Sequence, residues 1–410
     1  MQGQDRIAVL GAGVIGAAVA FALARAGRNV VLIDRAPPGE AGASYGNAGH
    51  IAAELVEPLP SPSLLFGFWR DLFSRGGVLD IPARRLGQFM PWALRFAQAA
   101  FRRRANTAHL APFVRPAVPA LVALLTDAGR PDLIRQHGHY EIWLGGNVDR
   151  QAREQAAAMQ ALEVPTLPAP QEVVERARTA AGAARAAGLW FPQCAHVLDP
   201  LEVVRAFVAA ATRHGARVER REVRALQARG TGFDIVTDTA PLSADAVVLC
   251  LGAWSGPLLE PFGYRVPLEA ARGYHIEMRD AQPLVDAPIV YANEKILVTP
   301  MTGRVRATSF MEFAGIDAPP DPRKPAWLRS KAAGLGYRCA ADAPSWMGPR
   351  PVLPDYLPAI GRSARMPNLF YSFGHQHIGL TLSGVNALAV ADLVAGRPRP
   401  DLAAFDLQRF

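Results

Sequence analysis

Cysteine, lysine and long uninterrupted hydrophobic runs are scarce in this chain of 410 residues. The cysteines, Cys194, Cys250 and Cys339, are odd in number and far apart, which argues against a disulfide framework and a cysteine-based zinc site. A reducing, cytoplasmic setting is expected, with the inner face of the cell membrane as an alternative. The most apolar charge-free run, 7–24, is interrupted by glycines, so we expect neither a transmembrane segment nor a secretion signal.

Charge is also modest, because 44 Lys and Arg against 36 Asp and Glu give a formal net charge of +8. The basic residues follow no nucleic-acid-binding motif, and no nucleic-acid partner is expected. Half of the residues are hydrophobic, which excludes a disordered chain. Residues 86–101 have an amphipathic helical pattern rich in aromatic side chains. This helix packs on the core, or it makes peripheral contact with a membrane surface.

The first forty residues predict a strand, a glycine turn, a helix, a second strand and an acid, in that order. Gly-x-Gly-x-x-Gly between strand and helix brings the backbone and a helix N-terminus close to phosphates. Asp34, at the end of the second strand, is placed to accept hydrogen bonds from ribose hydroxyls. The order predicts a dinucleotide-binding fold, although the motif does not separate NAD from FAD. The predicted contacts are Gly11, Gly13, Val14, Ile15, Gly16, Asp34 and Arg35.

A second loop of small residues spans 42–50 and suits the close approach of a long cofactor. An ordinary surface turn is the alternative. Its candidate cofactor contacts are Ser44, Asn47, Ala48, Gly49 and His50. The imidazole of His50, with an ordinary pKa near ~6.5, also suits hydrogen bonding to substrate, or serves structure alone.

The remaining pattern predicts an α/β protein with two domains. A buried strand over 246–251 leads into a turn with Gly252 and Trp254, at the ligand edge of a parallel sheet. Antiparallel strands are predicted over 274–278, 296–299 and 305–309. We therefore expect a Rossmann-like cofactor domain from 1–54, 191–258 and 345–410. A second, mainly antiparallel-sheet substrate-binding domain is expected from 55–190 and 259–344.

Motifs along the chain resemble those of the FAD-dependent D-amino acid dehydrogenases. Besides the N-terminal unit, they are Gly-Asn-Ala-Gly-His at 46–50, Leu-Gly-Ala-Trp-Ser at 251–255, Arg-Gly-Tyr-His at 272–275, Gly-Pro-Arg-Pro at 348–351 and Gly-His-Gln-His-Ile-Gly at 374–379. The wider family includes D-amino acid oxidase, glycine oxidase and sarcosine oxidase. The resemblance runs from residue 6 to about 396 and is weakest over 55–190.

The resemblance implies an FAD enzyme that moves hydride from the α-carbon of a D-amino acid or cyclic imino acid to flavin N5. D-proline and hydroxy-D-proline are candidate substrates. FAD is expected to be non-covalent, because the attachment cysteine of sarcosine-oxidase relatives has no counterpart near 346–349. The acceptor would be a quinone, a cytochrome or another carrier, since the few lysines favour a dehydrogenase over an oxygen-using oxidase. A flavin subunit without catalysis of its own is a further alternative.

The resemblance also assigns roles to residues in the second half of the chain. Arg350 would bind the substrate carboxylate, and Tyr274 or His377 would face substrate or flavin. The expected cofactor contacts there are Val223, Gly252, Trp254, Gly374, His377, Ile378, Gly379, Leu380 and Thr381. No metal site is expected. The absence of an evident carboxylate in the predicted pocket argues against a cationic substrate side chain.

Overall fold

The structure is a computed structural model that describes residues 5–410 and is mixed α/β throughout. The strands are, in chain order, β1 (Arg6–Leu10), β2 (Asn29–Asp34), β3 (His50–Ile51), β4 (Leu79–Asp80), β5 (Ile134–Arg135), β6 (His139–Leu144), β7 (Leu167–Pro168), β8 (Ala186–Phe191), β9 (Ala195–Val197), β10 (Arg217–Arg220), β11 (Val223–Arg229), β12 (Gly232–Thr237), β13 (Leu242–Ala244), β14 (Ala246–Leu249), β15 (Glu269–Met278), β16 (Ile289–Tyr291), β17 (Ile296–Met301), β18 (Arg304–Glu312), β19 (Ser345–Val352), β20 (Ala359–Arg362) and β21 (Leu369–Phe373).

The helices accompany these strands in a pattern of long core helices and shorter peripheral ones. They are α1 (Val14–Arg25), α2 (Pro62–Gly67), α3 (Leu86–Ala100), α4 (Arg103–Val114), α5 (Ala117–Asp127), α6 (Val148–Ala161), α7 (Gln171–Ala180), α8 (Pro200–Arg213), α9 (Ser255–Leu259), α10 (Arg323–Gly334) and α11 (Gly379–Val394).

A six-stranded sheet in the order β10-β2-β1-β14-β21-β20 carries the glycine turn. Its strands are parallel except for the β20–β21 pair. The register pairs Ile7 with both Val30 and Ala246, so β1 lies between strands from distant parts of the chain. Helix α1 is alanine-rich and almost fully buried, because it packs against both α8 and α11 beside the sheet. The predicted Rossmann-like unit is confirmed.

A nine-stranded, mainly antiparallel sheet forms the second layer, in the order β19-β15-β18-β17-β16-β6-β8-β7 with β4 paired to β18. One face of this sheet packs on α10, where Ile276, Leu328 and Ala332 are buried together. The other face borders a large cavity shared with the glycine turn of the six-stranded sheet. The candidate site is therefore built between the two layers.

Two predicted domain boundaries need correction. Residues 345–352 form β19, which pairs with β15 in the nine-stranded sheet and not with the cofactor sheet. Helices α4 and α5 were expected in the substrate domain, yet Leu110 and Leu121 are buried in the same core as α1 and α11. The apolar faces of α4 and α5 pack on the helices of the cofactor layer. The local sequence pattern shows that a helix has an apolar face but not which element covers it. The other boundaries stay a prediction.

Within residues 5–410, one helical stretch is long and apolar enough to span a membrane by length and composition. It covers Arg103–Asp127, and half of its most apolar window is buried inside the protein. A core helix meets the same criterion, and Val114 and Leu125 are fully buried. The stretch is therefore weak evidence for a membrane span.

Candidate active site

The glycine turn after β1 packs so closely against its neighbours that there is no room for side chains. Gly11 has φ +100° and its N–H donates to the carbonyl oxygen of Ile33 at 2.8 Å. A Cβ at Gly16 would overlap the carbonyl oxygen of Gly11, so the helix can approach the strand only with glycine there. Asp34 accepts from the N–H of Ala12 at 2.7 Å and of Ala36 at 3.1 Å. Its carboxylate thus fixes the turn and borders the cavity.

The small-residue loop closes over the N-terminus of α1. The Oγ atom of Ser44 accepts from the N–H of Val14 at 2.9 Å, so Ser44 caps the helix from another segment. Arg306 donates to the carbonyl oxygen of Asn47 at 2.5 Å and anchors the loop to β18. Cofactor phosphates at the free N–H groups of α1 would meet the partial positive charge of the helix.

Most of the predicted cofactor residues border this cavity. They are Gly11, Gly13, Val14, Ile15, Asp34, Arg35, Ser44, Asn47, Ala48, His50, Val223, Gly252, Trp254, His377, Gly379 and Leu380. The guanidinium of Arg35 lies 4.4 Å from the ring centre of Trp254, which joins the two turns. Direct contact of these residues with FAD stays a prediction.

Five predicted contacts do not border the cavity. Gly16 packs on Gly11, and Gly49 forms a turn with φ +74° against Val197. Gly374 packs against Leu353, Ile378 is buried in the main core, and the Thr381 hydroxyl accepts from the N–H of Ala52 at 3.0 Å. These residues pack behind the residues that line the cavity. Motif spacing alone does not distinguish this packing role from direct contact with the cofactor.

The cavity fits FAD in size and in chemistry. It encloses about 890 Å³ and extends from Asp34, past α1, to the nine-stranded sheet. Two buried polar atoms on its wall, Gln376 Nε2 and Thr308 Oγ1, find no hydrogen-bond partner among residues 5–410. A buried polar atom without a partner is costly, and a polar ring system in the cavity would supply one. Gly379 at the start of α11 adds helix N–H groups to the same wall.

Arg350 lies on β19 at the cavity wall. Its Nη1 donates to the carbonyl oxygen of Phe310 at 2.8 Å, and within residues 5–410 no carboxylate pairs with it. A Cβ at Gly273 would overlap the guanidinium, so glycine on the neighbouring strand makes the space for it. Burial lowers the pKa of Arg350, but the group stays a cation. A buried cation without an acid is a natural partner for an anionic ligand.

Two histidines that border the cavity, His50 and His377, are neutral at pH 7. Burial, with the nearby His196 and His377, lowers the pKa of His50 to about 3. Burial and the charge of Arg350 lower the pKa of His377 to about 4. The exposed surface of the His377 side chain faces the cavity. Protein surrounds the cavity at this point, so the imidazole is not in open solvent. Neutral imidazoles can accept or donate one hydrogen bond at each nitrogen, as a substrate amine requires.

Tyr274 borders the cavity, but the contacts of its hydroxyl do not support the prediction that this hydroxyl faces substrate. Tyr274 is buried in the core under α10, and its hydroxyl donates to Glu312 at 2.8 Å. The hydroxyl also accepts from Arg272 and from the N–H of Asp321, each at 3.0 Å. Strand alternation explains the difference, since the opposite face of β15 carries His275 and Gly273. His275 in turn is held at the carbonyl oxygen of Gly46.

Two largely buried carboxyl groups border the cavity and were missed in the sequence. The thiol of Cys194 donates to Glu54 Oε2 at 3.0 Å, and Gln155 donates to Glu141 Oε2 at 3.1 Å. The expectation of a pocket without a carboxylate is therefore wrong. Glu54 follows the loop of small residues by four positions, and Glu141 lies in a recognisable strand, but neither belongs to a motif.

We call Glu54, Glu141, His50 and His139 the acidic lobe. The rings of His50 and His139 are in contact, with Nε2 of the first 3.2 Å from Nδ1 of the second. Burial raises the pKa of Glu54 to about 7. Burial, with the negative charge of Glu54, raises the pKa of Glu141 to about 7. Burial also lowers the pKa of His139 well below its usual range, so the imidazoles do not neutralise the acids.

Comparisons with known proteins agree with this geometry. The chain is 29% identical to a D-amino-acid oxidase of Bradyrhizobium diazoefficiens, over 98% of each protein. It is 29% identical to a D-amino acid dehydrogenase of Cereibacter sphaeroides, over 98% of this chain and 94% of that protein. The solved glycine oxidase of Geobacillus kaustophilus matches with a TM-score of 0.75 at 23% identity, over 99% of each chain.

A fourth similarity is to the L-proline dehydrogenase of P. horikoshii, with a TM-score of 0.72 at 17% identity, over 100% of this chain and 98% of that one. At this identity the likeness shows the fold alone. The family model described as DAO, FAD dependent oxidoreductase, matches residues 6–393. The chain therefore belongs to the DAO family of FAD-dependent oxidoreductases.

Proposed function

We propose that the protein is an FAD-dependent dehydrogenase of a D-amino acid or a cyclic imino acid, such as D-proline or hydroxy-D-proline. The observation that carries this proposal is Arg350, a partly buried cation with no acidic partner among residues 5–410, in the cavity that also holds the glycine turn. The full-length relatives named for D-amino acid oxidation support the same substrate class.

Arg350 binds the substrate carboxylate through its planar fork of N–H groups. Gly273 leaves room for this fork, and the Phe310 carbonyl fixes its direction. FAD, when bound beside this site, would supply the two-electron acceptor for oxidation of the α-carbon. Gly379 and Leu380 border the cavity at the start of α11, and the helix N-terminus there would stabilise negative charge on its wall.

The neutral imidazoles of His50 and His377 hold the amine in its unprotonated form. Each ring offers a lone pair or an N–H without adding a charge beside Arg350. The chain therefore contributes mainly by orienting the reactants. The product imine leaves the site and hydrolyses in water, or persists where it is cyclic.

FAD is held without a covalent bond in this proposal. Cys339 lies outside the cavity wall, and burial raises the pKa of its thiol. Cys250 borders the cavity beneath Gly11, where burial also raises the pKa of the thiol. A protonated thiol is a poor nucleophile, so neither residue is prepared to form a flavin adduct.

The proposed acceptor is a quinone, a cytochrome or another carrier, and not oxygen. Lys295 borders the cavity, but its ammonium contacts Asp71. An ammonium held by an acid is less available to assist oxygen. Oxygen consumption by the reduced holoenzyme, faster than its reaction with a soluble quinone, would identify an oxidase instead.

An exposed apolar surface supports contact with the inner face of the cell membrane. Phe66 is 79% exposed and Leu94 is 58% exposed, and α2 and α3 lie in contact. Arg70 and Arg75 lie over the ring of Trp69 in the same region. Apolar side chains flanked by arginine are typical of proteins that bind anionic lipid surfaces.

Vesicle sedimentation tests this contact. The holoenzyme should sediment with vesicles that contain phosphatidylserine, and a Phe66→Ser, Leu94→Ser variant should remain in solution. Leu388→Ser is the matched control, because Leu388 is also exposed but belongs to α11, which packs against α1 and α5. Equal sedimentation of all three proteins would contradict the proposed membrane contact.

Anaerobic flavin reduction tests the function. The yellow holoenzyme is mixed under nitrogen with D-, L- and N-methyl amino acids and with cis- and trans-hydroxyproline. We expect bleaching by D-amino or D-imino acids. Bleaching by L-amino acids alone would contradict the proposed stereochemistry. A flavin that stays oxidised with every compound would favour a flavin subunit without catalysis of its own.

A further inference from the structure

A row of polar groups joins Arg350 to the acidic lobe along the cavity wall. Burial and the charge of Arg350 lower the pKa of His377. Burial, with the nearby His196 and His377, lowers the pKa of His50. Charge effects of this kind weaken with distance, so these groups are neighbours. Nε2 of His50 in turn lies 3.9 Å from Oε1 of Glu54. A small ligand held at Arg350 is therefore close to the lobe.

The proposed reaction needs a group that accepts a proton inside the cavity. The α-carbon loses hydride readily only when the neighbouring nitrogen has a free lone pair, whereas an amino acid in neutral water carries an ammonium group. Arg350 is already a cation, and burial keeps the imidazoles of His50 and His377 neutral at pH 7. The proton of the ammonium group therefore requires a carboxylate.

Four carboxyl groups border the cavity within residues 5–410, and Glu54 is the one placed to receive this proton. Asp34 is held in the glycine turn, and Glu222 follows β10, the edge strand of the six-stranded sheet. Glu141 accepts from the side-chain amide of Gln155. Of the four, Glu54 alone has imidazole nitrogens within 4.0 Å.

The imidazoles of His50 and His139 lie between the cavity and Glu54. Nε2 of His50 lies 3.2 Å from Nδ1 of His139, and Nε2 of His139 lies 4.0 Å from Oε1 of Glu54. The second distance exceeds a hydrogen bond by roughly 1 Å or less, and such contacts in unliganded sites shorten when substrate binds. Because Nε2 of His50 faces His139, its Nδ1 is left for the substrate amine.

We propose that His50, His139 and Glu54 form a relay that takes the proton from the substrate ammonium group. Nδ1 of His50 accepts this proton while each imidazole passes on the proton of its Nε2, so Glu54 becomes a carboxylic acid and both rings end neutral. The hydrogen of the α-carbon then leaves with its electron pair to the two-electron acceptor of the proposed function, and a protonated imine remains. Glu54 returns its proton to solvent before the next turnover. The relay rests on the proposed oxidation of amino acids at Arg350.

The surroundings of Glu54 favour the acid end of the relay. Burial raises the pKa of Glu54 to about 7 and lowers the pKa values of His50 and His139 far below it, so the proton does not stay on a histidine. Within the described part of the chain, no Lys or Arg pairs with Glu54. The groups that face it are His50, His139, Cys194 and Glu141.

A metal ion is the rival occupant of the lobe. Ligand atoms of His50, Glu54, His139 and Cys194 lie within 4.8 Å of one another. The thiol of Cys194, however, donates its proton to Glu54, and the two imidazoles share a hydrogen bond. Protons in these two contacts are those that a metal would have to displace.

The pH dependence of anaerobic flavin reduction tests the relay. With the D-amino or imino acid that bleaches the flavin fastest, kcat/KM should rise with pH through about 7, as Glu54 loses its proton. Glu54→Gln should lower kcat/KM at pH 7 by about a hundredfold. His139→Phe should do the same, because it removes the relay nitrogens but keeps a ring against Phe191.

Alkali should rescue both variants. Their kcat/KM should approach that of the unmodified protein in the range where the ammonium group of the free substrate loses its own proton, since the relay is then not needed. A loss that persists at every pH would indicate a structural role and contradict the relay. Glu57→Gln is the matched control, because Glu57 is close in sequence but pairs with Arg103 outside the cavity. It should keep the pH profile of the unmodified protein.

Proton counting tests the relay without turnover. 2-Aminoisobutyrate has no hydrogen on its α-carbon and cannot be oxidised, and isobutyrate also lacks the amine. Calorimetry at pH 8 in two buffers of different ionisation enthalpy counts the protons released on binding to the oxidised holoenzyme. The unmodified protein should release almost none with 2-aminoisobutyrate, because Glu54 takes the proton. Glu54→Gln should release nearly one, and isobutyrate should release none from either protein.

Each contrary result has a distinct meaning. Equal proton release from the two proteins, or an unchanged pH profile in Glu54→Gln, would refute the relay and leave the proposed function intact. Zinc in the purified holoenzyme that Cys194→Ala removes would show that the lobe binds a metal ion instead. If neither ligand binds and no D-amino acid bleaches the flavin, the proposed function fails together with the relay.

Discussion

The core under α10 and the cavity wall of the nine-stranded sheet treat charged side chains in opposite ways. On the face covered by α10, Glu312 pairs with Arg272 and with Lys324, both at 2.6 Å. Lys324 also binds Asp80 and Asp321, so every charge there has a partner. Away from α10, the buried Arg306 is also paired, with Glu277, but at the cavity wall neither Arg350 nor the nearby acid Glu54 has a partner of opposite fixed charge within residues 5–410. We infer that the paired core serves stability and the unpaired groups at the cavity wall serve ligand binding.

Glu312→Gln should produce the largest effect and break the paired core. The variant leaves Arg272 buried without its carboxylate, which should lower the free energy of unfolding by about 3–5 kcal/mol. Denaturant unfolding measures this change. Glu154→Gln, which breaks an exposed pair with Arg150, is the control and should leave the unfolding midpoint unchanged. Similar midpoints for both variants would contradict a structural role for the buried network.

Arg350→Ala should affect catalysis and not folding. Loss of the charged fork should lower kcat/KM for carboxylate substrates by about a hundredfold or more, because charge-assisted hydrogen bonds are lost. The unfolding midpoint should not fall, since no acid is left without its partner. Arg350→Lys keeps the charge without the fork and should recover only part of the activity. Unchanged kcat/KM in the alanine variant would mean that another group binds the carboxylate.

Glu54→Gln should change the pH dependence of stability. Burial holds the pKa of Glu54 at about 7, above its ordinary value of 4.5. The folded state therefore binds the proton more tightly, and stability falls as pH rises from 4.5 to 7. Glutamine removes this loss, so the variant should exceed the unmodified protein by about 1–3 kcal/mol near pH 8, with no difference near pH 4.5. If the variant and the unmodified protein differ in stability by the same amount at every pH in this range, Glu54 is not buried as assigned.

Tyr274→Phe should have the smallest effect and sharpen the distinction between the core and the cavity wall. It removes the hydroxyl that bonds Glu312 and Asp321. We expect a loss of about 1 kcal/mol in stability and unchanged kcat/KM. Steady-state kinetics beside thermal unfolding measures both. A fall in kcat/KM without a loss of stability would indicate instead that the Tyr274 hydroxyl contacts substrate.

The order of strands and helices can be predicted from the sequence more reliably than the face of a sheet on which a side chain lies. The strand–turn–helix unit around Gly11 followed from periodicity, because α1 and the flanking strands are buried along their length. The contacts of the Tyr274 hydroxyl were not predicted because the choice between two strand faces depends on α10, which lies about 50 residues further on. Glu54 and Glu141 were missed because their proximity is set by packing between segments about 85 residues apart.

The central sheet also has a consequence for synthesis of the chain. Residue 7 pairs with residue 246, and β14 in turn pairs with β21 at residues 369–373. A nascent chain that has released only its first hundred residues exposes β1 with one edge unpaired, and such edges recruit other chains. Aggregation during translation should therefore increase with the time between synthesis of β1 and synthesis of β14. A stop codon before residue 246 should yield protein that stays bound to chaperones.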